Sequence, residues 1–244
     1  MDYSIAIPSY QRPQELLKKT LTMLKNENID PSIIYVFVVP EEEQIYRQTI
    51  PDGYCKDIVV GVIGLPEQRN FIYDYFPLGT RILMIDDDIK EVRFVNKIPL
   101  DDMIRRMWKI TEEEGASLWS IYPVANLFFC KDRVVIGKVF CVGCFHGVVN
   151  DRLYYIQNCG ASEDRWNTLT RFLRDGKTLR YEGCCPITTY FAKGGLTDYR
   201  KTRQYEDTVL IHNMFPTLTT LKQKKNGVWD ADIKLKVERT RNLC

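Results

Sequence analysis

No apolar run in this chain approaches the length of a membrane span, and the opening MDYSIAIPSYQRP lacks the charged-then-apolar pattern of a signal peptide. The expectation is a cytoplasmic protein with no membrane partner. A charge excess is missing as well. Lys and Arg total 34 against 32 Asp and Glu, so the global basic signal of a nucleic-acid binder is absent and only a local patch could serve. Low-complexity segments, internal repeats and Pro/Gly/Ser linkers are also lacking, which argues against a chain strung from independent modules. The expected unit is one domain over residues 1–244.

What is there is ordinary in bulk: 244 residues, 45% hydrophobic and 27% charged. A chain of this length hides roughly 70–75% of the surface its unfolded form exposes, enough for a sizeable core. Without a signal peptide, the eight cysteines are expected as buried free thiols in a reducing compartment. The alternative is a four-thiolate zinc site from Cys141, Cys144, Cys184 and Cys185.

The first third alternates short β-branched runs with helical segments. YSIAIP, SIIYVFVVP, DIVVGV and TRILMI read as strands. QELLKKTLTMLKN places Leu16, Leu17, Leu21 and Leu24 on one helical face, EEEQIYRQTI reads as a short helix, and LPEQRNFIYDYF as a helix opened by Pro66. This pattern predicts an α/β fold with a mostly parallel central sheet covered on both faces. The rear half is mixed. It holds a helix at LDDMIRRMWKITEEEG, strand-rich SLWSIYPV and VIGKVFCVGCFHGVVN, a helix SEDRWNTLTRFLRDG with Ser162 as N-cap and Gly176 just past its end, and a strand TLRYEGCCPITTYF.

In such sheets ligands bind beyond the carboxyl ends of the strands. There the sequence sets three adjacent carboxylates, Asp86, Asp87 and Asp88, after a fully apolar strand. A solvated turn would explain them. A divalent cation explains them better, because like charges this close cannot all ionise without an offset. Oxygen donors without sulfur favour Mg²⁺ or Mn²⁺, ions that keep positions open for phosphate. Arg69, one strand earlier at the start of a helix, could pair with phosphate oxygens or simply lie on a solvated face. Glu163 and Asp164 open a later helix, where they could complement its dipole or hold chemistry.

Together these segments resemble the GT-A glycosyltransferases, which use nucleotide-activated sugars. SIAIPSYQRPQELLKKTLTML resembles the first strand, P-[ST]-Y-N-R-P loop and first helix of that family. GLPEQRNFIYDYF and RILMIDDDI resemble its ARN helix and the strand bearing the D-x-D motif, and SEDRWNTLTRFLRDGKTLRY its segment with the catalytic base. The resemblance implies a GT-A (Rossmann-like) single domain with a nucleotide-sugar-binding half at residues 1–88 and an acceptor-binding and catalytic-base half at 89–244. It implies Asp86 and Asp88 as metal ligands with His212, and Asp164 as general base with Glu163 the second choice. It further implies Pro8, Tyr10, Arg12 and Glu41 around the nucleoside, Gln68, Arg69, Asp87 and Lys193 on the nucleotide-sugar, and His146 beside the acceptor. The family's base-reading DD is replaced here by VVPEEE. An ED pair makes inversion the default stereochemistry.

YVFVVPEEEQIY with the segment through IDDDI also resembles a narrower branch, the glycosyltransferases of base-J synthesis and phage DNA hypermodification. That implies a UDP-sugar donor, glucose being one candidate, and a 5-hydroxymethylpyrimidine in DNA as acceptor; for a phage-encoded chain the compartment is the host cytoplasm. DYRKTRQY, KQKKNG and KVERTRN are basic clusters interleaved with Tyr199, Tyr205 and Trp229. Arg200, Lys201, Arg203 and Tyr205 could hold phosphates and stack on an extruded base, or belong to an ordinary charged face. A glycan- or protein-directed glycosyltransferase and a non-catalytic nucleotide-sugar-binding module are the other two readings. No sequence feature sets an oligomeric state.

Overall fold

The computed structural model describes residues 2–156, 159–188, 197–224 and 227–243, with side chains 197–201 not described. The chain begins with β1 (Ser4–Pro8), whose residues alternate between two cores. Ile5 and Ile7 enter one cluster and Ala6 the other. Pro13 then starts a continuous helical run, residues 13–26: α1 (Pro13–Leu16), a π turn (Leu17–Leu21) and α2 (Thr22–Asn26). It buries Leu16, Leu21 and Leu24, while Leu17 is only half-buried.

β2 (Ile34–Val38), α3 (Glu43–Thr49), β3 (Asp57–Val60), α4 (Leu65–Tyr75) and β4 (Arg81–Ile85) follow as expected from the pattern. Next come β5 (Glu91–Phe94), α5 (Leu100–Glu113), β6 (Leu118–Ile121), β7 (Val134–Lys138), β8 (Phe145–Val149), α6 (Glu163–Asp175) and β9 (Thr178–Tyr181). The chain closes with β10 (Cys184–Ile187), α7 (Thr197–Met214), the hairpin β11 (Thr219–Gln223) and β12 (Trp229–Ile233), and β13 (Lys236–Arg241).

Nine strands form one sheet in the order β13-β7-β9-β6-β8-β4-β1-β2-β3. Junctions β1–β2, β1–β4, β2–β3 and β6–β9 are parallel; those of β8 with β4 and β6, and of β7 with β9 and β13, are antiparallel. Only β7 and β8 run against the rest, so the sheet is mixed but mostly of one direction. Helices 13–26, α3 and α5 pack on one face around Leu24, Tyr46 and Trp108. α4, α6 and α7 cover the other around Tyr73, Trp166 and Ile211. Each fully buried Ile or Leu contributes about 1.5–3 kcal/mol of transfer free energy.

Some local expectations change. Ser162 occupies the N-cap position of α6, but its side chain makes no capping bond and its buried Oγ has no partner. Gly176 ends that helix at φ 74°, a left-handed conformation that glycine tolerates best. TLRYEGCCPITTYF is not one strand. At Glu182–Gly183 the chain leaves the large sheet and pairs with β5. The seven described cysteines are free, and among the described residues no group of three or more His, Cys, Asp and Glu side chains is gathered to hold a metal. Cys141 spends its thiol on the Leu179 carbonyl, 3.3 Å away, so the four-thiolate zinc alternative is not realised. Among the described residues no helix is long and apolar enough to cross a membrane.

Candidate active site at the carboxyl edge of the sheet

Parallel β1, β2 and β3 deliver their carboxyl ends to one edge, and there the chain leaves a cleft of about 490 Å³ lined by Tyr10, Gln11, Pro40, Glu41, Glu42 and residues 61–63. Tyr10 and Glu41, expected around the nucleoside, both line this cleft. Gln11 is held at φ 59°, and its amide donates to Glu42 Oε2 at 3.0 Å. Gln68 does not face the cleft. It is 4% exposed and accepts from the Val62 amide at 2.8 Å, tying down the loop that forms one wall. That tie needs glycine at 61, since a Cβ there would stand 2.1 Å from Gln68 Oε1. Pro8 ends β1 half-buried and is not among the residues that line the cleft.

The aspartate triplet follows β4, and its members point different ways. Asp87 turns inward, 5% exposed, and receives Ser9 Oγ at 2.6 Å and Arg12 Nη1 at 3.3 Å. Ser9 in turn accepts from Tyr46 Oη at 2.7 Å, and Tyr46 accepts from the Arg12 amide at 3.1 Å. Burial raises the Asp87 carboxyl to about 7 despite Ser9 and Arg12, which pull it down. Asp87 is thus a buried anchor, not a nucleotide contact. Arg12, expected near the nucleoside, instead serves as counter-ion to Asp87 and to Asp88 Oδ2 at 3.5 Å.

Asp86 and Asp88 flank that anchor. The Asp86 side chain is 38% exposed, and Asp88 accepts from Thr188 Oγ1 at 2.5 Å. Thr20, in the π turn, pins the backbone: it donates to the Asp86 carbonyl at 2.8 Å and accepts from the Ile89 amide at 2.9 Å. π turns often occur at functional sites because the extra residue re-aims a side chain.

Arg69 occupies an unexpected place. It is fully buried, with Nη2 shared among Glu163 Oε1 at 3.1 Å, the Gly143 carbonyl at 3.2 Å and Asp86 Oδ1 at 3.5 Å, while Nη1 meets Met84 Sδ at 3.2 Å. A guanidinium so enclosed has no face for phosphate. It is a strut joining β4 and the aspartate triplet to α6. Glu163 is 6% exposed and its pKa is raised, chiefly by burial and against the pull of Arg69. Gly143 allows this closeness, because a Cβ there would lie 2.3 Å from Glu163 Oε1. Of the ED pair, Asp164 is the accessible member, its side chain 21% exposed, and it is held through Oδ1 by the Arg165 amide and guanidinium at 2.8 and 3.2 Å.

The remaining candidates scatter. His146 lies in β8 at 1% exposure and donates through Nδ1 to the Gly143 carbonyl at 2.9 Å. Burial pushes its pKa well down, so it is a neutral buttress under the Arg69 strut and not an acceptor contact. His212 bonds Thr219 Oγ1 at 2.9 Å at the α7–β11 corner, not a triplet carboxylate. Among the described residues, five basic side chains of these clusters are paired with carboxylates. Arg203 pairs with Glu206 and Asp207, Lys222 with Asp232, Lys224 with Asp230, and Arg239 and Arg241 with Glu114 and Glu113 of α5. Tyr205 is 54% exposed and meets Trp229 edge-on at 5.9 Å. Lys193 and the side chains of Tyr199, Arg200 and Lys201 lie outside the described residues.

Ser9, Thr20, Tyr46, Gly143, Arg165 and Thr188 hold the site without having been singled out by sequence. Ser9 lies inside the PSYQRP loop that carries the resemblance, so its place was within reach. Thr20 and Thr188 join the triplet from across the fold and leave no local signal.

No protein-family model matches the chain, and no curated protein matches it in sequence. Solved structures do match. Residues 1–349 of S. aureus TarS superpose with a TM-score of 0.54 at 14% identity, over 87% of this chain and 65% of that one. The Pyrobaculum calidifontis mannosyltransferase PcManGT, in complex with GDP-Man and Mn²⁺, gives 0.55 at 14% identity over 88% and 64%. Mycobacterium tuberculosis glucosyl-3-phosphoglycerate synthase, with Mn²⁺, UDP and glucosyl-3-phosphoglycerate, gives 0.50 at 9% identity over 98% and 89%. The chain spans less than two thirds of the length of the TarS and PcManGT chains. At these identities the likeness concerns architecture, and the architecture of this chain is the GT-A fold.

Proposed function

We propose that the chain is a metal-dependent glycosyltransferase that takes a sugar from a nucleoside diphosphate, UDP being the candidate nucleotide. The observation that carries this reading is the division of labour within the triplet. Asp87 is turned inward on Ser9 and Arg12, leaving Asp86 and Asp88 on either side of it in the segment that follows β4. Two hard carboxylates fall short of a protein cage and suit an ion that completes its shell with phosphate oxygens and water. Mn²⁺ or Mg²⁺ fits that donor set, with Asp86 and Asp88 as its protein ligands. Such an ion, when bound, neutralises charge on the departing diphosphate. The neighbours complexed with GDP-Man or UDP and Mn²⁺ support the donor class and the metal.

The residues of this chain do the rest. The Tyr10–Glu41 cleft receives the nucleoside. Asp164 accepts the proton of the acceptor hydroxyl, a contribution typically worth 10²–10⁴-fold. The hydroxyl oxygen bonds to the anomeric carbon as the bond to the diphosphate oxygen breaks. Glu163 and Arg69, buried behind Asp164, fix the first turn of α6 against β4.

For the acceptor, the sequence resemblance suggests 5-hydroxymethylpyrimidine DNA. Among the described residues, the pairing of Arg203, Lys222 and Arg241 with carboxylates favours instead a glycan or protein hydroxyl, since a polyanion is held by counter-charges left free for phosphate. The test is nucleotide release from a panel of UDP- and GDP-sugars with Mn²⁺ or Mg²⁺. Glycan acceptors are compared with duplex DNA that carries or lacks 5-hydroxymethylpyrimidines, alongside Asp88→Ala. Release that needs metal and Asp88 but ignores DNA supports the proposal. Release only with modified DNA overturns the acceptor choice. Nucleotide-sugar binding without any turnover leaves a binding module.

A further inference from the structure

Asp164 is reached from behind by a residue far away in sequence. Arg165, next to it, folds its guanidinium back so that Nη1 lies on Asp164 Oδ1 at 3.2 Å, while its amide bonds the same oxygen at 2.8 Å. Both contacts fall on Oδ1, which leaves Oδ2 as the oxygen able to take a proton. The other side of Arg165 belongs to the β11–β12 hairpin. Nη2 lies 2.6 Å from Asp230 Oδ1, an ion pair off the hydrogen-bond direction, and Nε donates to the Ala231 carbonyl at 3.3 Å. The guanidinium also sits 5.4 Å from the centre of the Phe140 ring. Asp230 is 2% exposed and is itself paired with Lys224.

A carboxylate taken into the interior is costly unless it is paired, and Asp230 is placed so that its pairing fixes Arg165. Without Asp230, Arg165 would keep only Asp164, the Ala231 carbonyl and the Phe140 ring among the partners described above, with Asp164 its one paired carboxylate. Its charge would then fall mainly on Asp164, and the contact would strengthen at the expense of the orientation of Oδ2. A nearby opposite charge favours the ionised carboxylate and weakens it as a base. We propose that Asp230 is a positioning residue for the transfer reaction: from the C-terminal hairpin it holds Arg165 so that Asp164 presents Oδ2 to the acceptor. This rests on the reading of Asp164 as general base.

The experiment measures UDP release from UDP-glucose with Mn²⁺, water serving as acceptor, for the wild type and for Asp230→Asn, Asp230→Glu, Arg165→Met, Arg165→Met/Asp230→Asn and Asp164→Asn. Thermal unfolding of each is recorded so that rates refer to folded protein. Asp230→Asn is expected to lower kcat roughly tenfold with the KM for UDP-glucose unchanged, a small part of what a general base supplies. Asp230→Glu should restore part of the rate. If Asp230 acts through Arg165, the double variant will be no slower than Arg165→Met. Additive losses, or a rise in donor KM in place of a fall in kcat, overturn the proposal. Asp164→Asn at wild-type rate means that the base assignment has failed, a result distinct from the failure of Asp230. Should UDP-glucose not turn over, a crystal structure of Asp230→Asn decides: an unmoved Arg165–Asp164 pair overturns the proposal, and a displaced Asp164 supports it.

Discussion

Replacing Arg69 by methionine tests the central claim that this residue is a strut. The side chain is completely enclosed, and its loss removes the cation from Glu163 at 3.1 Å and from Asp86 at 3.5 Å. It also takes a donor from the Gly143 carbonyl. Breaking a buried ion pair by removing one partner typically costs about 3–5 kcal/mol, because the other charge stays buried and uncompensated. Against a total stability of about 5–15 kcal/mol this is a large fraction. With a urea m-value near the upper end for small proteins, about 3 kcal/mol/M, the midpoint should fall by about 1–1.7 M. Glu163→Gln in the same chain removes the stranded charge, so Arg69→Met/Glu163→Gln should recover about 0.5–3 kcal/mol relative to additivity.

The pH dependence sharpens the test. Glu163 is already raised by burial, and loss of Arg69 raises it further. A carboxyl whose folded pKa exceeds its unfolded value of about 4.3 binds more protons in the native state, so stability falls as pH rises from there through the folded pKa. Arg69→Met should therefore be less destabilised at pH 5 than at pH 8. The assay is urea unfolding in chelator at both pH values. A cost below about 1 kcal/mol, or a coupling near zero with Glu163→Gln, would refute the strut.

Three further outcomes are expected. Asp88→Ala should abolish the upward shift of Tm produced by Mn²⁺ with a nucleoside diphosphate, and lower nucleotide release at least a hundredfold, while the metal-free Tm changes little. Gly61→Ala should displace Gln68 from the Val62 amide and weaken nucleotide binding at the cleft several-fold by calorimetry, and Gln68→Ala, which removes the same tie, should weaken it to a similar degree, with the double variant no worse than either. Asp151→Ala should cost about 3–5 kcal/mol in urea unfolding, because Arg171 is fully buried against it. Burial opposes the Asp151 charge, but the hydrogen bond and charge of Arg171, with Arg174, hold its pKa below the usual carboxylate value. Its contribution is therefore present above about pH 4 and lost as pH falls through the lower folded pKa, so the acid-unfolding midpoint should move to higher pH in the variant.

The front half of the fold was legible because each strand there is a short apolar run between helical segments, and β1 to β4 take the expected parallel arrangement. The C-terminal third was not. Its helix, hairpin and edge strand are rich in polar and charged residues, and the edge strand is exposed at every residue, so its apolar periodicity is weak. At the site, residue types were read well and their surroundings poorly. A carboxylate triplet after a strand announces an unusual charge density, but which member turns inward depends on Ser9 and Arg12 folding over it. Arg69 shows the same limit. Its position near a helix start suggested phosphate, and only the approach of α6 and Gly143 reveals that it is enclosed. Glu163 and Asp164 are adjacent in sequence and nearly equivalent there; one helical step of about 100° puts one in the interior and leaves the other accessible.

The π turn at residues 17–21 means that the candidate metal loop is set by counting as well as by chemistry. Five residues fill a turn where an α-helix would use four, and Thr20 reaches Asp86 and Ile89 from within it. Deleting one residue from this stretch would restore regular helix and keep every apolar type nearby, yet it would rotate what lies on one side by about 100° relative to the other. Either Leu16 or Leu24 would then leave the core, or Thr20 would swing away from the triplet. Swapping side chains in this helix should thus be tolerated far more readily than changing its length. The spacing between the apolar stripe and the aspartates is a ruler that a single-residue indel breaks.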